Sequence, residues 1–117
     1  MAIMLYTTTV LSRHGRNGLL VQWNTMTNGD TGNPVQLSHL PDKTLHIHGD
    51  LGGGTFILEG SNNGGVTWFT LRYADTRGQI LVTAVPDGGL IVENPVAIRP
   101  RIAGGALAGC QPFLTCF

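Results

Sequence analysis

Residues 43–60 read Lys43-Thr44-Leu45-His46-Ile47-His48-Gly49-Asp50-Leu51-Gly52-Gly53-Gly54-Thr55-Phe56-Ile57-Leu58-Glu59-Gly60. Successive side chains of a strand alternate between its two faces, so Leu45 and Ile47 point one way and His46 and His48 the other. Gly52-Gly53-Gly54 supplies the positive φ of a tight turn. Phe56-Ile57-Leu58 is continuously apolar, as in a strand covered on both faces. A half-buried strand, a glycine turn and a covered strand in succession point to layered β-structure.

The pattern continues in both directions. Candidate strands are Met4–Leu11, Leu19–Thr25, Pro34–Leu37, Lys43–His48, Thr55–Glu59, Thr67–Arg72, Gln79–Ala84, Leu90–Val92, Val96–Ala103 and a short Phe113–Phe117. Asn17-Gly18, Asn28-Gly29, Asn63-Gly64 and Asp87-Gly88 are the turn signals between them. Helices have little room. The Gly- and Pro-free windows long enough for one, Met1–His14 and Val66–Arg77, hold Thr7-Thr8-Thr9-Val10 and Val66-Thr67-Trp68-Phe69-Thr70-Leu71, which favour strands. The expected fold is all-β, an antiparallel β-sandwich of jelly-roll type with eight to ten short strands. One domain spans 1–117, with docking segments expected at 1–6 and 105–117. Pro95 and Pro100 suit an edge or a bend.

Composition narrows the function. Of 117 residues, seven are Lys or Arg and seven Asp or Glu, giving zero formal net charge, with 17 glycines. Nucleic-acid binding needs clustered basic residues, which are absent. No apolar run is long enough for a membrane helix, and Met1–Tyr6 followed by Thr7-Thr8-Thr9 is not a secretory leader. A surface with so little charge is poorly protected against association, which suggests a chain covered by neighbours.

Chemistry-bearing groups are sparse. His46 and His48 share a strand face, with Asp50 on the same side if the strand continues, a spacing that could hold zinc. No carboxylate pair or cysteine completes it, and a polar strand face is the preferred reading. Cys110 and Cys116 could close a short disulfide loop, remain reduced or meet another subunit. No Gly-x-Ser-x-Gly elbow, paired carboxylates or phosphate loop is present. Trp68 and Phe69 read as core, Trp23 less firmly so; all three with Tyr73 could instead form a sugar-stacking platform. Arg99 and Arg101 lie on one strand face and suit pairing with carboxylates across an interface.

Several motifs stand in one order: Asn28-Gly29-Asp30-Thr31-Gly32-Asn33-Pro34-Val35-Gln36-Leu37, Pro41-Asp42-Lys43-Thr44, Leu58–Phe69, Val92-Glu93-Asn94-Pro95, Ile98-Arg99-Pro100-Arg101 and Gly104-Gly105. Over roughly Leu19–Gly105 the chain resembles small β-sandwich or jelly-roll structural proteins of tailed bacteriophages that decorate or cement the icosahedral head. The Glu59–Phe69 stretch also resembles discoidin-like carbohydrate-binding jelly rolls, where it belongs to the fold rather than to the sugar site. Ala106–Phe117, with two cysteines and Pro112, departs from the alternating final strand of the phage group.

The resemblance implies a capsid decoration or cement protein on the outside of the virion, made in the host cytoplasm. Its partners would be the major capsid protein and itself, as a dimer or trimer, with no direct nucleic-acid or membrane contact, no enzymatic activity and no cofactor. It would bridge capsid subunits after shell expansion. The contact residues expected are Met1, Ile3, Leu5, Tyr6, Arg99, Arg101, Phe113 and Phe117. Two alternatives stand beside this. One is a tail or baseplate component with a discoidin-like carbohydrate-binding jelly roll. The other is a cupin-type hydrolase or isomerase built on a His/Glu metal site.

Overall fold

A computed structural model describes residues 2–106 and 108–117. The described residues contain no helix and form twelve strands. These are β1 (Ile3–Met4), β2 (Tyr6–Arg13), β3 (Arg16–Trp23), β4 (Thr31–Gly32), β5 (Val35–Gln36), β6 (Lys43–Gly49), β7 (Thr55–Ser61), β8 (Phe69–Thr70), β9 (Leu81–Val82), β10 (Asp87–Leu90), β11 (Ala97–Ala103) and β12 (Cys110–Cys116). One sheet has the order β10-β6-β12-β3-β2. The other runs β1-β4-β11-β7-β8, with β5 also on β11 and β9 also on β7. Every pairing is antiparallel except β1 with β4. The chain crosses between sheets from β1 to β2, β3 to β4, β5 to β6, β6 to β7, β9 to β10, β10 to β11 and β11 to β12, so both layers of the β-sandwich are built from strands distant in sequence.

The alternation at residues 43–48 positions the core. Leu45 and Ile47 are buried with Val21, Trp23 and Leu114 from the same sheet. Phe56, Leu58, Ile98 and Ile102 meet them from the other. Removing a side chain of this size from water contributes about 1.5–3 kcal/mol. Lys43 belongs to the same inward set and is fully buried, its Nζ donating to the Leu40 carbonyl at 2.7 Å and to Asn94 Oδ1. It is the only lysine in the chain. Burial lowers its pKa, against smaller opposing effects of Cys116 and Asp42.

Three local expectations are corrected. First, the β2–β3 turn falls at His14-Gly15, with φ of 50° and 76°. Two consecutive positive φ values suit the twist of a two-residue hairpin, a type I′ signature. Asn17-Gly18 instead lies inside β3, and Asp87-Gly88 inside β10. Second, Thr67–Arg72 contributes only Phe69–Thr70 as strand. Asn63 binds both ends of Thr67, accepting from its N–H at 3.0 Å and donating to Oγ1 at 2.7 Å, which holds that stretch as a loop. Third, Pro100 is neither at an edge nor in a bend. It sits within β11, paired with Leu58 of β7.

Pro100 is tolerated because the strand on its other side is interrupted. β11 pairs with β4 at Arg101↔Thr31 and with β5 at Ala97↔Gln36 and Ile98↔Val35, leaving Pro100 facing the join. The Ile102 N–H donates across to Asp30, so two residues earlier the missing N–H of Pro100 faces the same side. The Asn33 carbonyl in that join accepts from Trp23 Nε1 at 2.9 Å. Gly32 makes room for the proline ring, since a Cβ there would stand 2.5 Å from Pro100 Cδ and Cγ.

The same solution recurs at Pro112 in β12, a central strand between β6 and β3. The register passes from Cys110↔Met26 to Phe113↔Gln22, which places one extra residue on the β3 side, a β-bulge at Asn24–Thr25. Cys110 exchanges hydrogen bonds with Met26, so the Pro112 nitrogen is also directed at β3.

Candidate interaction surfaces

The outer face of the five-stranded sheet follows from its register. Phe113 lies opposite His46 of β6 and Gln22 of β3, and Thr115 opposite Thr44 and Leu20. Thr7 and Thr9 of β2 continue the row beyond Gln22 and Leu20. His46 and His48, both exposed, stack on Phe113 with ring centroids 5.8 and 5.3 Å away. Leu90 of β10 extends the face and is exposed. At the opposite corner Arg13 lies over the Phe117 ring, 4.2 Å from its centroid. Between that hairpin tip and β10, the outward positions carry Thr, Gln, Leu, Phe and His and no Asp, Glu, Lys or Arg.

The outer face of the seven-stranded sheet has a different character. Glu59 of β7 is opposite Arg99 of β11, and its carboxylate takes Arg99 Nε at 3.0 Å and Arg101 Nε at 3.4 Å. Glu59 is buried beneath the two guanidinium groups. Arg99 also lies 4.0 Å from the centroid of Trp68, a cation–π contact. Trp68 Nε1 donates to the Gly65 carbonyl at 3.1 Å, and Gly65 lies against the ring. Trp68 is therefore half-buried outside the core, clamped between Arg99 and its own loop. Phe69 is 40% exposed, whereas Trp23 is fully buried, edge-on to Tyr6 at 5.8 Å. Both observations reverse the sequence-based ranking of these aromatics.

Of the expected contact residues, Met1 lies outside the described residues. Ile3 and Leu5 are 71% and 64% exposed on a backbone tied down by β1 and by Ala2 N–H donating to Asp30 Oδ1 at 3.1 Å. Tyr6 packs half-buried on Trp23. Arg99 and Arg101 are brought together by Glu59 of the same chain, a partner 40 residues distant that local spacing could not reveal. Phe113 is half-buried on the outer face, and Phe117 is buried beside Arg13. Residues 110–116, part of the expected docking tail, form the central strand β12.

Cys110 and Cys116 are free and buried at opposite ends of β12. A strand advances about 3.3 Å per residue, which separates them by far more than the ~7 Å limit for a disulfide. Burial pushes both thiols up to about 11, with Lys43 opposing this slightly at Cys116. Among the described residues, no group of three or more His, Cys, Asp or Glu is placed to hold a metal. Asp50 does not join His46 and His48; its Oδ1 accepts from the Gly52 N–H at 2.8 Å.

A shallow cleft of about 450 Å³ is lined by Tyr73, Arg77, Leu81, Pro86 and Asp87 among others. Its polar groups bind one another. Arg77 bridges Asp75 and Asp87, stacks 3.9 Å from the Tyr73 centroid, and donates to the Gly88 carbonyl at 2.8 Å. The Tyr73 hydroxyl donates to Asp87 at 3.2 Å, and burial raises its pKa well above the ordinary phenol value. Among the described residues no buried side-chain nitrogen or oxygen lacks a partner. Comparison with protein-family models, with curated proteins and with solved structures returns no match.

Proposed function

We propose that this chain is a virion structural protein of a tailed bacteriophage. In this reading it is a non-enzymatic capsid decoration or cement protein that binds the outside of the icosahedral head and bridges major capsid subunits. The observation that carries the reading is the outer face of the five-stranded sheet, which presents His46, His48, Phe113 and Leu90 without a formal charge. Solvated faces of stable monomers normally interleave both signs of charge, and a neutral aromatic face suits cover by a large partner surface. The order of sequence motifs supplies the phage context.

Binding only the assembled shell would stabilise that shell by mass action. Many weakly held copies on a symmetric lattice would gain further from effective concentration. The tail-component alternative is less well supported, because Arg99 already lies over the ring of Trp68, the half-buried aromatic a sugar would stack on. Quantifying the chain against the major capsid protein in purified particles tests the proposal. Decoration predicts a copy number comparable with that of the capsid protein, and a few copies per particle would favour a tail position.

A further inference from the structure

We infer that the free edge of β2 is a homodimer interface, in which two copies join their five-stranded sheets by antiparallel β2–β2 pairing. The inference concerns the isolated chain and does not depend on the virion reading.

The hydrogen-bond phase of β2 is fixed by two observations. Asn24 N–H donates to the Leu5 carbonyl, and Arg13 pairs with Arg16 across the His14-Gly15 turn. Odd-numbered residues of β2 therefore direct their backbone groups at β3. Tyr6, Thr8, Val10 and Ser12 direct theirs outward, where no strand pairs with them among the described residues. Other edges are short or covered. β1, β8 and β9 are two residues each, and β10 is closed by Arg77 on the Gly88 carbonyl and Ala74 N–H on the Leu90 carbonyl.

β2 has none of the usual protection of a long edge. Thr7 to Ser12 contain no charge and no proline, and β2 pairs with β3 without a bulge. Val10 is 72% exposed on the core-facing side, beside an apolar hollow of about 360 Å³ formed with Leu19 and Leu40. A second copy of β2 fits this edge by symmetry. With Thr9 opposite Thr9 on the two-fold axis, Tyr6 faces Ser12 and Thr8 faces Val10, so every outward backbone group is paired. In that register Arg13 meets neutral Leu5 of the second copy, and the two Arg13 side chains lie at opposite ends. Each Val10 brings its apolar surface toward the other copy's hollow.

The test uses the full chain. Sedimentation equilibrium should give twice the 12.5 kDa chain mass, and Thr8→Pro should halve it. That substitution removes an outward N–H and leaves the β3 ladder intact. Thr9→Cys supplies an independent readout, since Thr9 would stand about 4.5 Å from its copy as a non-hydrogen-bonded pair, within disulfide reach. It should form a covalent dimer on oxidation, whereas Thr7→Cys should not. A wild-type monomer, a trimer, a Thr8→Pro variant that stays dimeric, or equal cross-linking at 7 and 9 would each overturn the assignment.

Discussion

The side-chain amide of Gln111 donates to the main-chain carbonyl of Trp23, at the position where Pro112 has no N–H to offer. A central strand thus carries a proline, and its neighbour's side chain completes the ladder. Thr25 Oγ1 donates to Gln111 Oε1 at 3.2 Å and orients the amide.

Gln111→Met should therefore destabilise the fold by about 1–3 kcal/mol, the cost of a buried carbonyl left without a donor. Pro112→Ala in that background should recover most of the loss, because the restored backbone N–H points at the same carbonyl. A double-mutant cycle of denaturant midpoints reads the coupling. Additive effects would show that the two residues do not share this carbonyl.

Gly32→Ala should cost about 1–3 kcal/mol by overpacking against Pro100 and Trp23. Pro100→Ala should relieve part of it by removing the ring atoms that the new methyl group meets. Thermal melting of the single and double variants checks this.

The thiols set an alkaline limit. Their pKa values rise from an ordinary 9.0 to about 11 in the folded protein, so the unfolded chain loses these protons first. Their contribution is complete below pH 9.0 and is lost as pH climbs toward 11. Cys110→Ala should make this alkaline fall shallower. Neither cysteine should react with a thiol reagent in native protein at pH 8, and both should react once it unfolds.

Lys43 acts in the opposite sense. Its folded pKa lies below the ordinary 10.5, so between the two values the unfolded chain holds more protons and stability rises with pH. Lys43→Met removes that rise. The difference between wild-type and variant stability, measured from neutral pH to 10.5, should therefore grow in favour of wild type. A constant difference would contradict burial of a titrating amine.

The two-layer architecture was legible where one rule acted alone. The 43–48 alternation set the inner face of β6, and the strand-favouring residues in both Gly- and Pro-free windows pointed to an all-β fold. Legibility failed where distant partners overrode local preference. Pro100 read as an edge or bend residue because the interrupted neighbour that accommodates it, with the Asn33 carbonyl taken by Trp23 Nε1, is distant in sequence. The Asn17-Gly18 signal lost to His14-Gly15 because Gly18 is needed where the Phe117 ring closes on β3. Lys43 carried the inward phase of its strand, but nothing local announced that Leu40 and Asn94 would satisfy it. The neutral outer face could be foreseen only in part. His46 and His48 were visible as a pair, but Phe113 joined them only once β12 was known to lie beside β6.

The role proposed for this sandwich is adhesion to an assembled shell. An electron-microscopy map of the particle that contains the chain tests it most directly. Adhesion through the neutral sheet face predicts ordered density for the sandwich on the outside of the head, with the His46–Phe113 face against the major capsid protein. Heads that lack this density altogether, in particles that still contain the chain at the tail, would contradict it.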